Sequence, residues 1–102
     1  MSYIKNENGI ITNHSLKIIF EDDCYHYAYV MWAKFWGVYY YGLNYHFRNE
    51  GGASYGVSIK GPSFETFEAM MTAAIKELVD ASPDKEIKKR IFPGLQLELN
   101  FE

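Results

Sequence analysis

Between Val38 and Arg48 the chain alternates with a period of two. Tyr39, Tyr41, Leu43, Tyr45 and Phe47 fall on one side, and Tyr40, Gly42, Asn44, His46 and Arg48 on the other. Only an extended backbone puts every second side chain on a common face, so this run is a β-strand with a drier and a wetter side. Its rings are not isolated: nine Tyr, seven Phe and two Trp make up 18% of the sequence. Flat, bulky rings fit a pleated, half-buried surface better than they fit a helix. A sheet is therefore the expected centre of the molecule.

The flanking segments extend it. Leu16, Ile18 and Phe20 alternate with Lys17, Ile19 and Glu21, which predicts a first strand with one face inward, closed by the acidic turn Glu21-Asp22-Asp23. From Cys24 to Trp36 two templates fit. Tyr25, Tyr27, Tyr29, Met31, Ala33 and Phe35 have strand periodicity, whereas Tyr25, Ala28, Tyr29, Trp32 and Trp36 have helical periodicity. An Asp23 cap and Gly37 would suit the helix; the density of Tyr, Val and Trp favours the strand. Asn49-Glu50-Gly51-Gly52 reads as a hairpin loop, followed by a returning strand in which Tyr55, Val57 and Ile59 alternate with Gly56, Ser58 and Lys60, stopped at Gly61-Pro62.

Next comes the best-defined helix. Thr66 is a suitable N-cap, Glu68 complements the positive end of the helix dipole, and Phe67, Met70, Met71, Ala74, Ile75 and Leu78 recur at three- and four-residue intervals. This stripe is expected to meet Leu16, Ile18, Leu43, Val57 and Ile59. A second, short helix starts near Ser82-Pro83-Asp84, with Ser82 as cap and Pro83 in the first turn, carries Lys85, Lys88, Lys89 and Arg90, and ends at Phe92-Pro93-Gly94. The expected fold class is α+β: an antiparallel meander sheet of three to four strands packed on one main helix, with a second short helix near the C-terminus. At 102 residues the chain fits a single domain. Residues 1–9 are expected to be flexible and 95–102 to form either a last strand or a docking tail.

Composition narrows the function. Apolar residues at 48% and charged residues at 23% are globular values. A net charge of −3 disfavours a general polyanion binder. A single cysteine, Cys24, excludes an internal disulfide and a multi-cysteine metal site, and fits a reducing, cytoplasmic setting. No apolar run reads as a membrane span, because Tyr27 to Tyr41 is broken by Lys34 and rich in Tyr. Glu21, Asp22, Asp23, Cys24 and His26 bring acid, thiol and imidazole together, but His14 and His46 have no ligand-like neighbours, and no nucleophile stands in a catalytic motif. The expectation is a charged turn rather than a catalytic or metal site, a protein that is not an enzyme, and no cofactor.

The surplus of rings points to binding instead. Trp32, Trp36, Tyr40 and His46, with Lys34, Arg48 and Lys60, could share the sheet face opposite the helix and stack single-stranded bases. A large exposed aromatic face more often marks a protein interface, so a homodimer built on this face is preferred over nucleic acid.

The last segment, Leu95-Gln96-Leu97-Glu98-Leu99-Asn100-Phe101, alternates apolar and polar residues as a final strand would. Its Gln96-Leu97-Glu98-Leu99-Asn100-Phe101 also resembles the short peptide by which bacterial polymerases, repair proteins and replication regulators dock on the sliding clamp. The resemblance implies Gln96 as polar anchor, with Leu97, Leu99 and Phe101 filling an apolar cleft, in an accessory protein of a mobile element. The order of elements is loosely similar to small α+β domains of phages and conjugative elements, including antitoxin-like and double-stranded-RNA-binding-like folds. That likeness rests on architecture and carries no diagnostic residue.

Overall fold

The computed structural model describes residues 7–91. Four antiparallel strands follow one another as a meander: β1 (Ser15–Asp23), β2 (His26–Phe35), β3 (Val38–Phe47) and β4 (Gly51–Tyr55), in the spatial order β1-β2-β3-β4. Two helices complete the α+β fold, α1 (Phe67–Ala81) and the shorter α2 (Lys85–Ile91). Among the described residues no helix is long and apolar enough to cross a membrane.

The Cys24 to Trp36 ambiguity resolves as strand. Phe35 pairs with Val38 across the two-residue turn Trp36-Gly37, whose φ values are 55° and 83°. Two positive φ angles match the right-handed twist of the flanking strands, and Gly37 meets that demand without a steric penalty. The register that follows sets Val30 opposite Leu43 and Trp32 opposite Tyr41.

On the helix side, Phe20, Ala28, Val30, Leu43 and Phe47 form one buried core with Ala74, Leu78, Val79, Ile87 and Ile91. Helix α1 lies over β3, and α2 packs against β1 and α1. Thr66 caps α1 as expected, its Oγ1 accepting the Ala69 N–H at 3.0 Å. On the other side of the sheet Ile11, Ala33 and Val57 make a second, smaller core with Met31, Phe35, Tyr40 and Ile59 around it.

Several expectations are corrected here. Strand β1 does not turn at Glu21-Asp22-Asp23; it runs through them, and the turn is Cys24-Tyr25, with the Tyr25 N–H bonded to Asp23 Oδ1 at 2.8 Å. A register shift between Ile18 and Phe20 inserts one residue. The bulge sends Phe20 into the helix-side core while Leu16 and Ile18, partners of Met31 and Tyr29, face the other way and stay exposed. The fourth strand stops at Tyr55, because the chain there crosses over β3 at Gly42. A Cβ on Gly42 would sit 2.5 Å from the Tyr55 carbonyl oxygen and 2.6 Å from the Gly56 carbonyl carbon. The crossing carries Val57 and Ile59 to the second core rather than to α1, where Ile10 bridges Ser58 and the Ile11 N–H bonds to the Val57 carbonyl at 2.8 Å. Finally, Ser82 closes α1 instead of opening α2: its N–H bonds to the Val79 carbonyl, and the α2 cap is Asp84, which accepts the Ile87 N–H at 3.0 Å.

Candidate functional site: the open half of the sheet

The second core shelters one half of the face opposite the helices. Among the described residues nothing covers the other half. Parity along the strands places Leu16 and Ile18 of β1, Tyr27 and Tyr29 of β2, and Asn44 and His46 of β3 there, with Tyr25 of the turn beside them. Leu16, Ile18 and Tyr25 are 53%, 51% and 63% exposed, so the meander presents aliphatic and aromatic side chains in one continuous patch.

Its rings hold one another. Tyr27 stacks on Tyr29 with centroids 4.8 Å apart and lies nearly parallel to His46 at 6.4 Å, while Tyr25 meets His46 edge-on at 6.3 Å. The Tyr27 hydroxyl donates to Asn44 Oδ1 at 3.1 Å, and the Tyr29 hydroxyl donates to Glu21 Oε2 at 2.6 Å. The hydrogen bond to Glu21, reinforced by burial, pushes the Tyr29 hydroxyl up to about 12. His46 Nδ1 lies 2.8 Å from the Tyr25 carbonyl. A carbonyl only accepts, so Nδ1 carries the proton, and in the neutral ring Nε2 keeps its lone pair. The patch is thus set by mutual contacts before anything binds.

Its rim is acidic and already neutralised. Arg90 of α2 makes a two-pronged contact with Asp22, one prong at 2.8 Å, and lies over the Phe20 ring at 4.5 Å. Arg48 reaches Asp23 at 2.8 Å. The Arg90 hydrogen bond lowers the Asp22 carboxyl below its ordinary range; for Asp23 the Tyr25 N–H is the larger cause and Arg48 the second.

The residues singled out from sequence do not gather here. Tyr40 and His46 share the face, but Tyr40 sits beneath the Val57 cover and His46 at the opposite end. Trp32 and Lys34 have the other parity and stand on the helix side, Trp32 against Phe67 at 4.9 Å and Lys34 above the Tyr39 ring at 5.5 Å. Trp36 occupies the hairpin turn and is 87% exposed. Arg48 lies beyond β3, tied to Asp23, and Lys60 follows the covering segment. Gln96, Leu97, Leu99 and Phe101 lie outside the described residues. His26 is packed against Phe20 and Phe47 on the helix side, and its Nδ1 accepts the Arg48 N–H at 3.1 Å. Among the described residues no three metal-ligating side chains cluster.

Sequence reasoning missed Leu16, Ile18, Tyr27 and Tyr29 as surface residues. The available signal was Trp36-Gly37 as a two-residue turn, since it fixes which β2 residues share a face with His46. It also missed a polar latch on the helix side, where the Tyr41 and Tyr55 hydroxyls each donate to one oxygen of Glu77, both at 2.6 Å. Compared with known proteins, the chain matches no family model, no curated protein and no solved structure.

Proposed function

We propose that this chain is a non-catalytic binding module that pairs with a second copy of itself through the open half of its sheet. The observation that carries it is the exposure of Leu16 and Ile18, each more than half accessible, alongside Tyr25, Tyr27 and Tyr29. Aliphatic side chains left exposed on a sheet, as these are, lose stabilisation of about 25 cal/mol for every Å² left in water. A two-fold axis through the patch would set the same residues against themselves, which requires an uncharged centre and matched donors and acceptors. Leu16, Ile18 and Tyr29 supply that centre. In the neutral ring His46 Nε2 is an acceptor, and Tyr25, whose ring meets it edge-on, offers its hydroxyl as a donor.

Charge favours a protein partner over nucleic acid. Glu21 brings a carboxylate to the rim, and the two nearest guanidiniums, Arg48 and Arg90, are committed to Asp23 and Asp22. Stacking without cations gives little affinity for a polyanion. Stable complexes bury about 800 Å² per partner; a patch three strands wide and half sheltered lies towards the low end, so the dimer is expected to exchange in the micromolar range. We place it in a reducing cytoplasm, where the exposed thiol of Cys24 stays free.

Sedimentation velocity across the micromolar range tests the proposal. The expected result is a concentration-dependent monomer–dimer exchange that Ile18→Asp abolishes while the melting temperature holds. A parent chain that stays monomeric throughout, or a dimer indifferent to Ile18→Asp, would refute it.

A further inference from the structure

Two surface features of this chain have matching shapes and do not meet within it. The first is a knob. Trp36 takes the first central position of the β2–β3 turn at φ 55° and is 87% exposed. Turns with two positive φ angles favour Asn, Asp or Gly at that position, and a bulky side chain there is strained. Its ring meets Phe35 with centroids 6.0 Å apart, and most of it lies in water. The second is a groove. Phe67, Met71, Ile75 and Val79 recur every four residues along one flank of α1 and line an apolar hollow of about 450 Å³. Glu68, Thr72 and Lys76, all exposed, keep the same spacing beside them. From these features we infer that the Trp36 indole of one copy inserts into the α1 groove of a second copy.

Three observations select that occupant. The first is that ring and groove stay apart within one chain: Trp36 stands in water and is not among the residues lining the hollow. A second copy always brings both. The second is size. An indole is the largest apolar ring a side chain offers, and a hollow of about 450 Å³ admits it whole. The third is chemistry. Met71 presents a polarizable thioether to the ring, and the Glu68 carboxylate can accept from the indole N–H, which only donates. Glu68 also offers a counter-charge to Lys34, two residues before Trp36. Lys76 can move over the face of the ring, because its pair with Asp80, at 3.4 Å and exposed on both sides, holds it weakly. An inserted indole buries about 150–250 Å², against about 800 Å² per partner in a stable complex. The contact is therefore weak, in the millimolar range, and independent of pairing through the sheet. Since the knob of one chain meets the groove of the next, it is heterologous and can repeat, joining one sheet-paired dimer to another.

Complementation tests the contact in an Ile18→Asp background, which removes pairing through the sheet. An isotope-labelled chain with Ile75→Asp keeps the knob and loses the groove. An unlabelled chain with Trp36→Asn keeps the groove and loses the knob, in a turn that Asn suits. When the two are mixed at near-millimolar concentration, the Trp36 indole N–H resonance, identified by its absence from Trp36→Asn, should shift along a saturating curve. It should stay in place when the unlabelled chain carries both changes. If Ile75→Asp does not fold, Thr72→Arg at the exposed neighbouring position blocks the groove in its stead. The Trp36→Asn chain alone should melt no lower than its parent. An indole resonance that does not move in the mixture, one that moves equally with the doubly changed chain, or a Trp36→Asn chain that melts well below its parent would each overturn the proposal.

Discussion

Glu77 holds α1 to the sheet through two tyrosines, and replacing it by Gln isolates what its charge contributes. In the parent, the hydroxyls of Tyr41 on β3 and Tyr55 on β4 each donate to a carboxylate oxygen at 2.6 Å. Hydrogen bonds to a charged acceptor contribute about 1.5–3 kcal/mol each, against roughly 0.5–1.5 for neutral pairs. Glu77 is half-buried and Tyr55 exposed, so the lower end applies, and Glu77→Gln should lose about 1 kcal/mol per bond, or about 2 in all. For a domain of this size that corresponds to a melting temperature lower by about 10 °C. The pH dependence adds a second signature. Burial first, and the Glu77 hydrogen bond second, hold both hydroxyls well above the ordinary tyrosine range. In the unfolded chain tyrosines release protons near pH 10, while the folded chain keeps them. The native state then binds more protons, so stability is fully present below about pH 10 and falls as pH rises beyond it. Glu77→Gln removes the second cause and should make that alkaline fall shallower. Thermal melts by circular dichroism from neutral to strongly alkaline pH measure both effects. A variant that melts within about 2 °C of the parent at neutral pH, or shows the same alkaline slope, would refute the latch.

Gly42→Ala should destabilise the chain by roughly 3 kcal/mol or more in urea unfolding, because the new Cβ would overlap backbone atoms of Tyr55 and Gly56 that cannot rotate away. Met70→Ala should cost about 2–5 kcal/mol, since Met70 is fully buried. Leu16→Ala, on the open face, should change unfolding by no more than about 0.5 kcal/mol yet weaken self-association in sedimentation. Arg90→Ala should let the Asp22 carboxyl titrate at higher pH in a carbon-detected NMR titration, because the guanidinium that favours its ionised form is gone.

What could be read from the sequence, and what could not, follows from the range over which each interaction acts. The alternation in β3, the Thr66 cap and the stripe of Met70, Ala74 and Leu78 are local features, and each appears where its period placed it. Face assignments failed wherever they depended on pairing between strands. The bulge at Ile18 and Phe20 arises from the match of β1 to β2, and nothing in Leu16-Lys17-Ile18-Ile19-Phe20 announces where the extra residue goes. The sequence suggests Trp32 beside Tyr40, while a two-residue Trp36-Gly37 turn makes it the partner of Tyr41. Ser82 and Asp84 are both good caps two residues apart, and only the bond from the Ile87 N–H decides between them.

The same long-range logic explains why this sheet has an open half. Gly42 lacks a side chain on the face opposite α1, so the chain leaving β4 can pass close over β3 and deliver Val57 onto Ala33. That crossing covers only the end of the sheet near the β2–β3 turn. At the other end the bulge in β1 turns Phe20 towards the helices and leaves Leu16 and Ile18 on the open side. Covering both ends would need a second crossing segment over Tyr27 and Tyr29, and the described residues on that side, 9–11 and 57–60, end at the Ile11–Val57 core. One glycine and one inserted residue therefore divide the sheet face into a part that stabilises the fold and a part on which Leu16 and Ile18 stay exposed.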